Sequence, residues 1–231
     1  MTEDGGIPDT AREVLSKIDH SVLRPDATRE DVITACDLGR RLGVATVCVQ
    51  PCWVGLAAET LRDSGVAVSS VVGFPHGATV TEAKLMEVIS LFQAGVAELD
   101  VVMNIGWFKS GRLDDVADEI GTIHLVCEAG RVLLKVILET GYLTDEEKAQ
   151  AAKLAAEAGA DFVKTSTGFG PGGATVEDVR LLRQAVPDRV GVKAAGGIRT
   201  AEQAQQLLAA GASRIGTSAT LDIARGLGVE V

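Results

Sequence analysis

Short apolar runs rich in β-branched residues alternate with longer Ala-, Leu- and Glu-rich amphipathic stretches along nearly the whole chain. Strand-like and helix-like segments that take turns in this way mark a parallel sheet, because each return to a parallel neighbour needs a crossover that covers one face. Strands are expected at residues 17–23, 44–49, 66–72, 98–103, 132–138, 161–164, 190–194 and 214–216, eight in all. Helices are expected at 28–42, 53–63, 79–94, 113–128, 145–158, 176–185 and 201–210, with a last one after Ser218. In Thr79-Val-Thr-Glu82, Thr144-Asp-Glu-Glu147 and Thr175-Val-Glu-Asp178 a hydroxyl stands three residues before an acid, the spacing of a helix N-terminal cap. Gly65, Gly95, Gly130, Gly159 and Gly211 fall where helices should stop.

Eight covered strands either close into a barrel or stay open as a doubly wound sheet. An open dinucleotide-binding sheet would carry Gly-x-Gly-x-x-Gly after its first strand, whereas the residues after Leu23 read Arg-Pro-Asp-Ala-Thr. No linker or composition break divides the chain. The expectation is an α/β fold, a (β/α)8 TIM barrel forming a single domain over residues 1–231, a length at which such barrels are ordinarily one domain.

Hydrophobic residues at 46% and charged residues at 23% exclude a disordered chain. A net charge of −10 excludes nucleic acid as a partner, since phosphate backbones are bound by clustered Lys and Arg. Apolar runs such as 66–72 and 132–138 fall far short of the roughly 20 residues of a membrane span, and no signal peptide opens the chain, so a soluble, cytoplasmic protein is expected. Cys36, Cys48, Cys52 and Cys127 form neither a disulfide framework nor a zinc-ligand pattern. No metal site is expected.

In a barrel, catalytic groups sit at the C-terminal ends of strands and on the loops that follow. Those ends carry Asp19, Cys48, Asp100 with Asn104, Lys135 with Glu139, Lys164 with Thr165 and Thr167, Lys193, and Thr217 with Ser218. An unperturbed lysine has a pKa of ~10.4, which leaves roughly one molecule in a few thousand neutral at pH 7, and only the neutral amine attacks a carbonyl. Burial and a neighbouring ammonium both lower that pKa, and a drop of about three units corresponds to about 4 kcal/mol. Lys164 and Lys193, closing adjacent apolar runs, can therefore make one amine a nucleophile, with Asp100 to move a proton and Lys135 to keep it ionised. Taken singly, each lysine could instead end a strand in a salt bridge, and Asp100 could cap a helix or pair structurally with Lys135. The glycine-rich stretches 168–173 and 196–197, with 216–218, can cradle a phosphate through bare backbone N–H groups, or could simply make tight turns. His20, His76 and His124 need no more than core, turn and surface roles, and Cys48 reads as a small apolar filler near the site.

The stretches Val163-Lys-Thr-Ser-Thr-Gly-Phe-Gly170, Val192-Lys-Ala-Ala-Gly-Gly-Ile-Arg199 and Glu98-Leu-Asp-Val-Val-Met-Asn104 resemble the signatures of the deoxyribose-phosphate aldolase family. So do Ile18-Asp-His-Ser-Val-Leu23, Val71-Val-Gly-Phe-Pro-His-Gly77 and Lys135-Val-Ile-Leu-Glu-Thr-Gly141, and the likeness covers nearly the full chain. The resemblance implies a class I aldolase, an aldehyde-lyase of deoxyribonucleotide catabolism. Such an enzyme reversibly splits 2-deoxy-D-ribose 5-phosphate into D-glyceraldehyde 3-phosphate and acetaldehyde, without metal or organic cofactor. It implies Lys164 as Schiff-base nucleophile, Lys193 as the group that depresses its pKa, and Asp100 as proton shuttle through a water. Asp19, Ser21, Cys48, Lys135, Thr165 and Thr167 would surround the sugar, while Gly168, Gly196, Gly197 and Ser218 would hold the phosphate. A homodimer or homotetramer is implied as well.

Some positions depart from members of that family. Phe169 stands where some have lysine and Ala219 where some have a second serine, so phosphate would be held more by backbone than by charge. Some members use a C-terminal tyrosine in proton transfer; here the one tyrosine is Tyr142, so Asp100, water and Lys193 would have to suffice. Two other functions fit the same residues: a phosphate-binding barrel lyase or isomerase with a non-covalent lysine, and a non-catalytic sugar-phosphate sensor.

Overall fold

A computed structural model describes residues 7–230; of the expected domain, residues 1–6 and 231 lie outside the described residues. The strands are β1 (Ile18–Val22), β2 (Thr46–Val49), β3 (Ala67–Val72), β4 (Glu98–Val102), β5 (Leu133–Ile137), β6 (Phe162–Lys164), β7 (Gly191–Ala195) and β8 (Arg214–Thr217). Each is parallel to the next, and β8 pairs back onto β1 to close the barrel. The helices are α1 (Asp9–Leu15), α2 (Arg29–Leu42), α3 (Val54–Thr60), α4 (Thr81–Gln93), α5 (Ile105–Lys109), α6 (Leu113–Gly130), α7 (Asp145–Glu157), α8 (Val176–Ala185), α9 (Ala201–Ala209) and α10 (Thr220–Gly226). The expected (β/α)8 barrel is therefore the fold. No helix among the described residues is long and apolar enough to cross a membrane.

Thr144 and Thr175 cap α7 and α8, each accepting from the backbone N–H three residues on. Thr79 does not cap α4: that helix begins two residues later, with Val80 as its cap and no side-chain hydrogen bond. Thr81 at its start instead donates to the buried Glu119 at 3.1 Å. Gly130 also differs from expectation, since it remains helical and Arg131 takes the left-handed turn at φ 55°. Its lack of a side chain serves packing, because a Cβ there would lie 2.9 Å from the Phe92 ring of α4. The short helices α1 and α5 lie outside the expected set, as do single 3-10 turns at Pro51–Trp53 and Thr140–Tyr142.

Period-two alternation divides the strands into an apolar outer face and a polar inner one. On β4, Leu99 and Val101 join the core between barrel and helices, while Glu98 and Asp100 face charged partners inside. A second buried ion pair lies outside the barrel. Lys84 of α4, with 0% side-chain exposure, donates to Glu119 of α6 at 2.6 Å and to the Val102 carbonyl at the end of β4 at 2.8 Å. Burial pushes the Lys84 pKa down while Glu119 opposes the shift. Glu119→Leu would strand that ammonium, so a loss of about 3–5 kcal/mol is expected in urea unfolding.

Candidate active site

Strand register brings the predicted residues together. Lys164 and Lys193 are direct partners on β6 and β7, as are Asp100 and Lys135 on β4 and β5. Asp100 is the hub: its Oδ2 accepts from Lys164 Nζ at 2.6 Å and from Lys193 Nζ at 2.7 Å, and its Oδ1 accepts from Lys135 Nζ at 3.0 Å. Asp19 of β1 lies 2.6 Å from Lys193 Nζ. One layer deeper, Arg214 of β8 donates to Asp19 at 2.6 Å and to Glu98 at 2.9 Å, and Glu98 lies 2.6 Å from Lys135. Gly216 makes room for this packing, since a Cβ there would fall 3.1 Å from Lys193 Cε.

The cluster holds four cations, Lys135, Lys164, Lys193 and Arg214, against three carboxylates, Asp19, Glu98 and Asp100. Isolated charge is costly in a buried site, so the set balances best when one amine is neutral. Burial is the strongest influence on Lys164 and pushes its pKa down; Asp100 resists this and the Lys193 ammonium adds to it. Burial also works against the charge on Lys193 and Lys135, but the carboxylates outweigh it and raise both. Asp100 is held well below the ordinary carboxylate range and Asp19 at about 2, because three cations beside each overcome the opposing effect of burial. Lys164 is thus the amine most ready to lose its proton.

Lys164 and Lys193 open onto a cleft of about 550 Å³ at the C-terminal mouth of the barrel, lined also by Asp19, Ser21, Cys48 and Thr167. Gly168, Gly196, Gly197 and Ser218 form its far wall. The three glycines have φ of 84°, 98° and 77°, the left-handed region that glycine enters without strain. Thr167 is fixed by the buried Glu139, which accepts both its hydroxyl proton, at 2.5 Å, and its backbone N–H. Its Oγ also accepts from Phe169 N–H at 3.0 Å, leaving it able only to accept from a ligand hydroxyl. Cys48 packs with Leu23, Val71 and Phe74 as the expected apolar filler, and burial, with Asp100, raises its thiol pKa.

Some expected residues stand elsewhere. Asp100 and Lys135 lie beneath the two amines, outside the cleft wall. The Thr165 hydroxyl is tied to the Ala195 backbone, donating to the carbonyl at 2.9 Å and accepting from the N–H at 3.0 Å, and does not line the cleft. Asn104 caps α5 by accepting from Trp107 N–H. Tyr142 lines a neighbouring cleft with His76 and Lys109, separated from the first by Phe169, which meets Phe74 edge-on at 5.4 Å. Glu98 and Arg214 were not among the expected site residues, although Glu98 shares a strand face with Asp100 and the alternation marks it. Among the described residues no group of three or more His, Cys, Asp or Glu is arranged to hold a metal ion.

His20 points away from this cluster, with Nδ1 2.8 Å from the Thr220 hydroxyl. Burial lowers its pKa from 6.5 to about 4. Between those values the unfolded chain binds a proton that the folded one refuses, so stability is full above pH 6.5 and falls as pH drops toward 4. Over that window the loss is expected to be about 3 kcal/mol. Urea unfolding of His20→Gln at both ends should show this slope flattened; an unchanged slope would assign it to other groups.

A family model described as DeoC/LacD family aldolase matches residues 13–226. The deoxyribose-phosphate aldolase of Caldanaerobacter subterraneus subsp. tengcongensis is 51% identical over 211 residues, 91% of this chain and 91% of that protein. The deoxyribose-phosphate aldolase of Thermococcus gammatolerans is 52% identical over 216 residues, 93% and 96% of the two chains. The solved tetrameric deoxyribose phosphate aldolase of Aeropyrum pernix superposes with a TM-score of 0.89 at 31% identity, covering 97% of this chain and 95% of its own. With a matching barrel beneath these likenesses and a cluster of buried amines at its mouth, the chain belongs to the DeoC/LacD aldolase family.

Proposed function

We propose that this aldolase reversibly cleaves 2-deoxy-D-ribose 5-phosphate to D-glyceraldehyde 3-phosphate and acetaldehyde through a Schiff base on Lys164. The observation that carries the proposal is the unequal charge of the buried cluster, four cations to three carboxylates, with Lys164 as the amine whose charge is least supported. Neutral Nζ attacks the open-chain sugar's aldehyde carbon, and loss of water gives a protonated imine. As the β-hydroxyl loses its proton, the adjacent carbon–carbon bond breaks and its electron pair flows into the imine. D-Glyceraldehyde 3-phosphate leaves, the enamine takes a proton, and hydrolysis returns acetaldehyde and free Lys164.

Asp100, through a water, moves these protons, and Lys193 keeps Lys164 from being protonated. Thr167, as an acceptor, meets a sugar hydroxyl, while Asp19, Ser21 and Cys48 shape the cleft around the short carbon chain. Gly168, Gly196, Gly197 and Ser218 hold the phosphate through backbone and hydroxyl donors. Lys135 and Thr165 act from behind the cleft wall, holding Asp100 and the β6–β7 pairing.

A homodimer or homotetramer is part of the proposal. Met86 and Phe92 of α4 are 61% and 47% exposed, and Leu125 of the adjoining α6 is 64% exposed. Such apolar residues on packed neighbouring helices favour burial against another copy. The single domain and cytoplasmic location belong to the same reading, and four free cysteines suit a reducing compartment.

The test is cleavage of deoxyribose 5-phosphate, followed by acetaldehyde release through a coupled NADH assay. Turnover at enzyme-like rates supports the proposal. Saturable binding of the sugar phosphate with no acetaldehyde would favour the silent sensor.

A further inference from the structure

We propose that Arg214 and Glu98, one layer below the reacting amine and out of reach of substrate, set the protonation state of Lys164 and so the pH range of imine formation. The inference rests on Lys164 being the nucleophile. Arg214 belongs to the same buried chain of ion pairs, linked through Asp19 to Lys193 and from there through Asp100 to Lys164, with contacts of 2.6, 2.6, 2.7 and 2.6 Å. Its guanidinium also lies over the Phe162 ring, 5.7 Å from the centroid, and Phe162 stands two residues before Lys164 on the same face of β6. That ring fills the space left by Gly191, where a Cβ would fall 2.2 Å from it. The layer below the nucleophile is thus packed and fixed.

The groups facing Lys164 come from strands around the barrel. Asp100 of β4, Lys193 of β7 and the Cys48 thiol of β2 stand nearest, with Lys135 of β5, Asp19 of β1, Glu98 of β4 and Arg214 of β8 behind them. His20 takes no part, since it faces α10. Without Arg214 the cluster would hold three lysines and three carboxylates, and every lysine could stay charged without excess. With Arg214, which keeps its proton at all working pH values, the excess cation has to come off an amine. Glu98 works in the opposite sense. As an anion it supports one more positive charge, and it holds both Arg214 and Lys135.

One layer is two residues, about 6.6 Å along a strand, and two strand spacings of about 4.8 Å separate β8 from β6, so Arg214 acts over roughly 10 Å. At an effective dielectric constant of about 20, one charge at that distance moves a neighbour's titration by about one pH unit. Opposite substitutions should therefore move the profile in opposite directions, which loss of packing alone would not do. Arg214→Met should raise the midpoint of imine formation by about one pH unit and slow it roughly tenfold on the acid side. Glu98→Gln, close to isosteric, should lower the midpoint by a similar amount. Arg214→Lys should restore the wild-type profile.

The experiment is borohydride trapping of acetaldehyde on the full-length protein across pH 5–10 (a range of about five units), with the adduct mapped by peptide mass. Opposite shifts in the two variants support the inference. Unmoved midpoints, or shifts of the same sign, overturn it; if Arg214→Met does not fold, the Glu98→Gln midpoint alone decides by its direction. Absence of an adduct on Lys164 in the wild type would instead overturn the nucleophile assignment on which the inference rests.

Discussion

Lys164→Ala is expected to abolish aldol cleavage, with a fall of about four orders of magnitude or more, while the barrel remains folded. The magnitude follows from losing the only route to the protonated imine: without that electron sink the broken bond's electron pair has nowhere to go. The fold survives because truncation removes the amine whose charge the cluster supports least. Asp100 still accepts from Lys135 at 3.0 Å and from Lys193 at 2.7 Å. Thermal unfolding should therefore move little, and circular dichroism should match the wild type. Residual turnover near the wild-type rate in a folded variant would remove Lys164 from the mechanism.

Asp100→Asn is expected to separate imine formation from bond cleavage. Asp100 is fully buried and accepts from three ammonium groups, so its amide counterpart keeps the shape but loses the charge and the capacity to take a proton. Removing one carboxylate raises the cation excess to two, which favours a neutral amine. Nζ therefore remains competent to form an adduct. Proton transfer to and from the sugar hydroxyl and the enamine fails, and a positioned general acid–base group contributes typically about 10²–10⁴-fold. Turnover should fall within that range while borohydride still traps acetaldehyde on Lys164. If trapping is lost together with turnover, Asp100 acts in forming the imine and not chiefly in the carbon–carbon step. The same substitution weakens the support for Lys135 and Lys193, so some loss of stability should accompany the kinetic effect.

Much of this site was legible in the sequence because barrel topology ties strand ends to chemistry. Lys164 ends β6, whereas β7 runs two residues past Lys193, and parallel register makes the two lysines neighbours once the strands are identified. Asp100 lies mid-strand on β4, and its inward-facing place opposite Lys135 brings it beneath the two amines. What remained hidden depends on direction and closure. Thr165 immediately follows Lys164, yet its hydroxyl turns to the Ala195 backbone. Arg214 begins its strand rather than ending it, on the side where groups are ordinarily structural, and only closure of β8 onto β1 brings it against Asp19. Thr79 has the spacing of a cap, but helix α4 starts beyond it, where Thr81 finds the buried Glu119. Local spacing reports possible partners, and tertiary contacts choose among them.

The most direct measurement is borohydride reduction of the protein with deoxyribose 5-phosphate or acetaldehyde, followed by intact mass and peptide mapping. A single reduced two-carbon adduct on the peptide bearing Lys164 is the expected result. An adduct on Lys193 or Lys135 would contradict the assignment of the neutral amine, and no adduct in a protein that binds the sugar phosphate would contradict Schiff-base chemistry itself.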